Sequence, residues 1–414
     1  MSSILTGCGE SIITPELGVS MAGYFEDRLS TVVHDDLYAK AMIFSNGIVS
    51  AGILCCDLIC LPREEILKIR KIVSEKTDLK GENLMICCTH THTGPRTRIS
   101  KVSAGGEVTL KWLKKFPDLA AEAVLNAFNN MDFCDISSGK VMEDRIAFNR
   151  RYHMKDGTVQ TNPGNQNPNI VKPAGPIDPE VGVISFTRED GSIKALYISY
   201  TCHLDNVGGT EISADYPGHL ARRLAERLDD KPFVLYTNGA CGDINHIDVR
   251  SPYRRKGHEH SRWMGETLAG DACKALNNME GLSDENIGVA SKIIQLPMQD
   301  YADKDTGKVE IQAIRVGDMG FVGVPAEYFV ELQLDIKERS PFKWTFVSEL
   351  ANGWVGYIPT KKAFEENMKD VPSTSMKIFD HKGYEVRSAL SRGLLPGVGE
   401  LMADTCVELL EILK

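Results

Sequence analysis

A mixed α/β fold, one large domain of twisted sheets flanked by helices, follows from three features of the chain. Strand-like apolar runs and helix-period segments interleave from end to end of its 414 residues. Three pairs of apolar runs are joined by tight-turn residues, at Asn46-Gly47, Glu189-Asp190-Gly191 and Gly317-Asp318-Met319-Gly320, so antiparallel hairpins are expected among the strands. No internal repeat or low-complexity linker divides the sequence, so residues 1–414 are expected to form a single unit.

Taken in order, residues 37–45 and 48–61 read as the first hairpin. Residues 63–75 have helical periodicity just after Pro62. The run Leu84-Met85-Ile86-Cys87-Cys88 reads as a buried strand. A basic Gly/Ser-rich loop is expected over 96–107, then a helix over 108–129 broken or kinked at Pro117. Residues 161–179, rich in Pro, Asn and Gly, read as a long exposed loop covering a site. The second hairpin spans 181–186 and 193–202, a helix with Pro217 in its first turn spans 217–228, and a short strand covers 233–236. The third hairpin (309–324), a helix over 326–339, a strand over 344–347 and a last helix over 399–413 complete the set.

Composition narrows the function. A chain 42% hydrophobic and 25% charged is ordinary globular protein. The net charge of −10 argues against nucleic acid or an anionic membrane surface as partner without identifying one, and a small-molecule substrate is expected. The apolar stretch 51–61 is interrupted by Asp57 and stopped by Pro62, so no stable membrane anchor is expected, and the N-terminus lacks the basic and apolar regions of a secretion signal. Eleven cysteines, an odd number with vicinal pairs inside apolar runs and no C-x-x-C, read as buried free thiols and a cytoplasmic protein.

Chemistry-bearing residues gather at strand ends. Thr89-His90-Thr91-His92-Thr93, followed by Gly94-Pro95, places two histidines at i and i+2 just beyond the 84–88 strand, where they are expected to share a face. Alone, this pattern fits a polar strand edge as well as a metal or acid–base site. His203 closes another strand in the same way. Glu327 reads as a first-turn acid complementing a helix dipole, and Tyr357 as a strand aromatic. Two histidines and a carboxylate from such segments form a common ligand set for catalytic zinc. The loop 238–245 permits close backbone approach to a ligand but lacks the lysine of a phosphate loop. It also admits a second reading, Cys241 as a thiol nucleophile with His246 or His203 as base. His258 and His260 form another H-x-H, expected on solvated surface before a helix.

The ordered motifs resemble those of the neutral/alkaline non-lysosomal ceramidases, catalytic domain and small bacterial-type members. Thr89 through Pro95 is similar to T-H-T-H-S-G-P, Asn149-Arg150 to an N-R segment, and Thr201-Cys202-His203 to a strand-end histidine. Asn238 through Asn245 resembles N-x-G-D-x-S-P-N, Pro325-Ala326-Glu327 resembles P-G-E, Gly356 through Thr360 resembles G-Y-x-T-T, and Tyr384-Glu385 a later Y-E. The resemblance implies one zinc per chain held by His90, His203, Glu327 and Tyr357. It implies hydrolysis of an N-acyl amide bond by a metal-activated water, with His92, Arg150, Tyr384 and Asn245 around the reacting groups. Asn245 stands where the family has serine. Neither the secretion signal nor the C-terminal β-sandwich of secreted ceramidases is expected, and only 7% of residues are aromatic. The alternatives are a small soluble ester or lactone as substrate, or a binding protein without turnover.

Overall fold

The computed structural model describes residues 3–368 and 383–414, and within them the chain is mixed α/β. Eight strands carry the larger sheet: β1 (Ser3–Ile12), β2 (Tyr38–Ser45), β3 (Ser50–Cys56), β4 (Leu84–Cys88), β5 (Met131–Met142), β6 (Glu180–Arg188), β7 (Ile193–Tyr200) and β8 (Phe233–Asn238). Their order is β8-β7-β6-β5-β1-β2-β3-β4, with the short strand Glu280–Gly281 beside β5. The pairs at the two ends, β3 with β4 and β7 with β8, are parallel, and the strands between them pair antiparallel. A second sheet contains β9 (Ile287–Gln295), β10 (Lys308–Val316), β11 (Met319–Gly323) and β12 (Trp344–Ser348) in that order.

Period-two burial explains how the layers stack. In β4, Leu84, Ile86 and Cys88 face α1 (Arg63–Lys76) and α2 (Gly106–Phe128), where they meet Ile66, Ile69 and Phe116. Met85 and Cys87 point the other way, into a core shared with Ile314, Phe321 and Phe346 of the second sheet. On the far half of the large sheet, Leu196 and Ile198 of β7 pack against Tyr216 and Leu220 of α3 (Asp215–Arg227) and Met264 and Leu268 of α4 (His258–Ala275). The outer face of the second sheet, with Ile311, Ala313 and Val322, is covered by α5 (Val330–Arg339) and α8 (Val398–Leu413) through Ile336, Met402 and Leu410. Burying both faces of β4 explains why that strand reads as a continuous apolar run.

The three expected hairpins form, the first with Ser45 opposite Ser50. Other expectations are corrected. Residues 57–61 leave the sheet, because β3 ends at Cys56. Helix α2 runs without a break through Pro117, which is buried against the large sheet's helix-covered core. Residues 161–179 are not one open loop: Ile170–Pro173 pairs with Arg151–Met154, which pairs in turn with Val159–Thr161. Strands β1, β5 and β9 escaped the sequence reading. β5, Met131-Asp132-Phe133-Cys134-Asp135-Ile136-Ser137-Ser138, is too polar for a propensity signal and is held by neighbours on both sides.

Candidate metal centre

The strands that end at Cys88 and Tyr200 lie near opposite ends of the sheet order, yet their exits meet. Thr91 forms an isolated parallel bridge with Leu204, and the His92 amide donates to the Leu204 carbonyl at 3.1 Å. Asn238, at the end of β8, donates from its side chain to the Thr89 carbonyl at 3.3 Å. His90 reaches the centre differently from the sequence expectation. Its φ is +75°, so it stands off the strand in the left-handed region, and strand alternation does not aim it. The imidazoles of His90 and His92 nevertheless converge, with ring centroids 4.9 Å apart.

Glu327 also arrives by another route. It is not in a helix: Glu327–Tyr328 forms a two-residue parallel bridge with Tyr357–Ile358, placing Glu327 opposite Tyr357, and α5 begins three residues later. The helix-dipole account of this acid therefore fails. Gly242 lets the 238–245 loop close against this bridge, since a Cβ there would lie 2.5 Å from the Glu327 carbonyl oxygen.

Ring tautomers define the centre. His90 Nδ1 donates to the Ile59 carbonyl at 2.8 Å, and His203 Nδ1 to the Cys241 carbonyl at 2.7 Å. In its neutral form each ring then presents a bare Nε2 lone pair, and the two Nε2 atoms lie 3.1 Å apart. His92 Nε2 is 3.4 Å from His90 Nε2. Glu327 Oε2 is 3.4 Å from His90 Nε2 and 3.7 Å from His203 Nε2. Two acceptors at such a distance repel unless a proton or a cation lies between them. Donors around a tetrahedral zinc at about 2.0–2.1 Å are about 3.3 Å from one another, so these spacings fit that ion. The geometry also brings His92 into the donor cluster, where the sequence placed it beside the ligands: His90, His92 and His203 bring one ring nitrogen each within 4.8 Å.

The electrostatics follow from burial and mutual contact. Burial pushes the His203 imidazole down to about 3, with Arg150 adding to the effect, and burial and His90 drive His92 well below its ordinary value. Burial alone would raise Glu327, but hydrogen bonds with His203 and His90 outweigh it and hold the carboxyl well below the usual range. Burial works against a charged His90, and Glu327 overcomes it and raises that ring. Burial, then Glu327, lifts the Tyr357 phenol well above its ordinary value.

The remaining sequence candidates divide. Arg150 is buried at the centre: Nε donates to Glu385 Oε1 at 2.7 Å, Nη2 to the Gly242 carbonyl at 2.7 Å, and Nη1 lies 3.4 Å from His203 Nε2. Tyr384 lies edge-on to Tyr357 with centroids 5.3 Å apart. Asn245 commits its amide to Asn162 Oδ1 at 3.0 Å and its oxygen to the Ile247 amide, tying two loops together. Cys241 is fully buried, with Sγ 2.8 Å from Glu349 Oε1, and burial and Glu349 push its thiol far up, the opposite of an activated nucleophile. All eleven cysteines are free thiols. His246 is buried against His260, and the second H-x-H is half-exposed: both residues lie in the first turn of α4, His258 on Glu211 and stacked on His34, His260 stacked on Trp263.

Four contributors were missed in sequence. Trp354 donates from Nε1 to Glu327 Oε1 at 3.1 Å and so leaves Oε2 to the histidines. Glu385, matched only as part of a motif, anchors Arg150 and accepts from Thr161 Oγ at 2.7 Å. Tyr24 donates to Asp205, whose Oδ1 lies 3.8 Å from His92 Nδ1. Trp354 and Tyr24 belong to no short-range spacing that could have announced them, whereas Asp205 stands two residues after His203 and Glu385 next to Tyr384.

No protein-family model matches the chain, and no curated protein matches it by sequence. Among solved structures it superposes on neutral ceramidase from Pseudomonas aeruginosa with a TM-score of 0.75 at 16% identity, covering 100% of this chain and 75% of that one. A second structure, a ceramidase complexed with C2, gives a TM-score of 0.77 at 16% identity over 99% of this chain and 75% of that one. The likeness runs the length of this chain, and the neutral ceramidase-like fold expected from the order of its motifs is the fold observed.

Proposed function

We propose that this chain, built on a neutral ceramidase-like fold, is a metal-dependent hydrolase of amide bonds, with one zinc held by His90, His203, Glu327 and Tyr357. The observation that carries the reading is the convergence of His90 Nε2 and His203 Nε2, 3.1 Å apart with Glu327 Oε2 alongside. When bound, the ion supplies Lewis acidity at that point.

The protein groups around it divide the remaining work. His92 is neutral and half-buried, its Nδ1 has no hydrogen-bond partner among the described residues, and it lies beside Asp205, so it can accept and return a proton during hydrolysis. Arg150 has Nε and Nη2 fixed, which leaves Nη1 aimed at the cluster to stabilise negative charge on a carbonyl oxygen. Burial pushes the Tyr384 hydroxyl up to about 12, so at neutral pH it is a donor for the same oxygen or for a product carboxylate. Asn245 supports the loop rather than the reaction. Cys241→Ala is expected to keep turnover within about tenfold of wild type, about 1.4 kcal/mol of barrier. Lost turnover with metal still bound would restore the thiol nucleophile.

We place the substrate among small soluble amides, with esters and lactones as the alternative on the same groups. The groups packed near the centre support this: Tyr24 lies edge-on to His92 and donates to Asp205, Arg28 stacks on Tyr24, and Arg392 stacks on Trp354, so they are largely polar or charged. Among the described residues no helix is long and apolar enough to cross a membrane, and free thiols throughout fit the reducing cytoplasm. A panel of short-acyl amides, esters and lactones measured against long-chain ceramide in detergent tests the choice. The expected order puts a soluble compound first in kcat/KM, and a ceramide advantage beyond about tenfold would reverse it.

A further inference from the structure

Beside the metal centre stand two arginines that no step above uses. Arg392, at the end of α7 (Tyr384–Ser391), lies with its guanidinium carbon 4.3 Å from the Trp354 ring centroid. Arg98, exposed in the loop after the histidine pair, lies 5.8 Å from the same ring. Trp354 is the residue that donates to Glu327, so both cations sit one side chain from the centre. Arg392 also packs on Gly356, next to Tyr357: a Cβ there would lie 2.6 Å from Arg392 Nε, and the φ of +86° suits glycine. The loop bearing Arg98 is pinned, because Thr97 Oγ donates to the Cys60 carbonyl at 2.9 Å, one residue after the Ile59 carbonyl that holds His90.

Among the described residues, neither guanidinium has a carboxylate in salt-bridge contact. The carboxylate acting most strongly on Arg392 is Glu327, which already serves His90, His203 and Trp354. Burial and the neighbouring charge of Arg98 both weaken the hold of Arg392 on its proton. Two like charges kept close repel each other, and an anion between them relieves that repulsion. Arginine forks flanking an indole recognise planar anions through paired N–H donors. Phe25, 70% exposed, meets Tyr384 edge-on at 6.1 Å, and Tyr384 in turn meets Tyr357, so an apolar ring also lies two contacts from the centre.

We infer that Arg98 and Arg392 form an anion subsite, so that the substrate is an amide carrying a carboxylate or phosphate on one arm and an apolar group on the other, of the N-acyl amino acid class. This rests on the hydrolase reading for the bond that is cut, but not for the binding of the anion.

Three probes with one amide each test it: N-benzoylglycine, N-benzoyl phosphoethanolamine and the neutral N-benzoylethanolamine. Wild type is expected to favour an anionic probe over the neutral one by at least about tenfold in kcat/KM, with the two anions telling carboxylate from phosphate. Arg98→Gln and Arg392→Gln should each shrink that ratio, mainly through KM, and Arg392→Lys should retain part of it. Arg98 is exposed, so its variant remains informative if Arg392→Gln does not fold. Equal turnover of charged and neutral probes, or a ratio unmoved in both variants, overturns the subsite and leaves the hydrolase reading standing. If no probe is turned over, calorimetry decides the inference by itself: tighter binding of an anion that both variants lose supports it, and equal affinity for all three overturns it.

Discussion

Replacing His90 and His203 together by alanine is expected to abolish both metal and turnover. Wild type should carry about one zinc per chain by elemental analysis, as a site of two histidines and a carboxylate does. The double variant should hold less than about a tenth of that after dialysis, because the two best-aligned donors and their fixed tautomers are gone. Each ring is oriented by a backbone carbonyl, Ile59 for His90 and Cys241 for His203, so the loss is of ligands and not of a loop. Chelation of wild type should abolish turnover and lower its thermal midpoint, since the ion binds only the folded chain. Stoichiometric zinc in the double variant would sink the assignment.

Glu385→Ala is expected to produce the largest loss of stability. Glu385 is fully buried, accepts from Arg150 Nε at 2.7 Å and from Thr161 Oγ at 2.7 Å, and lies 3.9 Å from Arg151 Nε. Removing it strands the buried charge of Arg150 and weakens the surroundings of Arg151, and breaking a buried pair in this way costs about 3–5 kcal/mol. Denaturant titration should read that loss. Turnover should fall further than folding alone explains, since Arg150 would no longer be held with Nη1 beside His203. A variant within about 0.5 kcal/mol of wild type, in the range of ordinary surface substitutions, would show that the pair does not hold this part of the site together.

How much of this was legible in the sequence differs element by element. The 84–88 strand and the three hairpins were readable because their signals are local: apolar runs and turn residues act within a few positions. The same locality misled at Pro117 and at Glu327. Pro117 reads as a breaker, but packing of α2 on its neighbours holds the helix through it. Glu327 reads as a helix start because a helix does follow; its pairing with Tyr357, 30 positions away, decides otherwise. The polar strand β5 was invisible because its stability comes from the strands on either side.

By itself the sequence determined a mixed α/β chain with free thiols, and it supplied His90, His203, Glu327 and Tyr357 as donor types at element ends. Their meeting was decided only by tertiary structure. The Thr91–Leu204 bridge joins strand exits more than 100 residues apart, the left-handed backbone at His90 turns its ring inward, and Trp354 frees one oxygen of Glu327. The placing of Arg98 and Arg392 about one indole belongs to the same class. Such contacts leave no periodicity behind, because side-chain spacing along a chain encodes which face a residue takes, not which distant residue it will face.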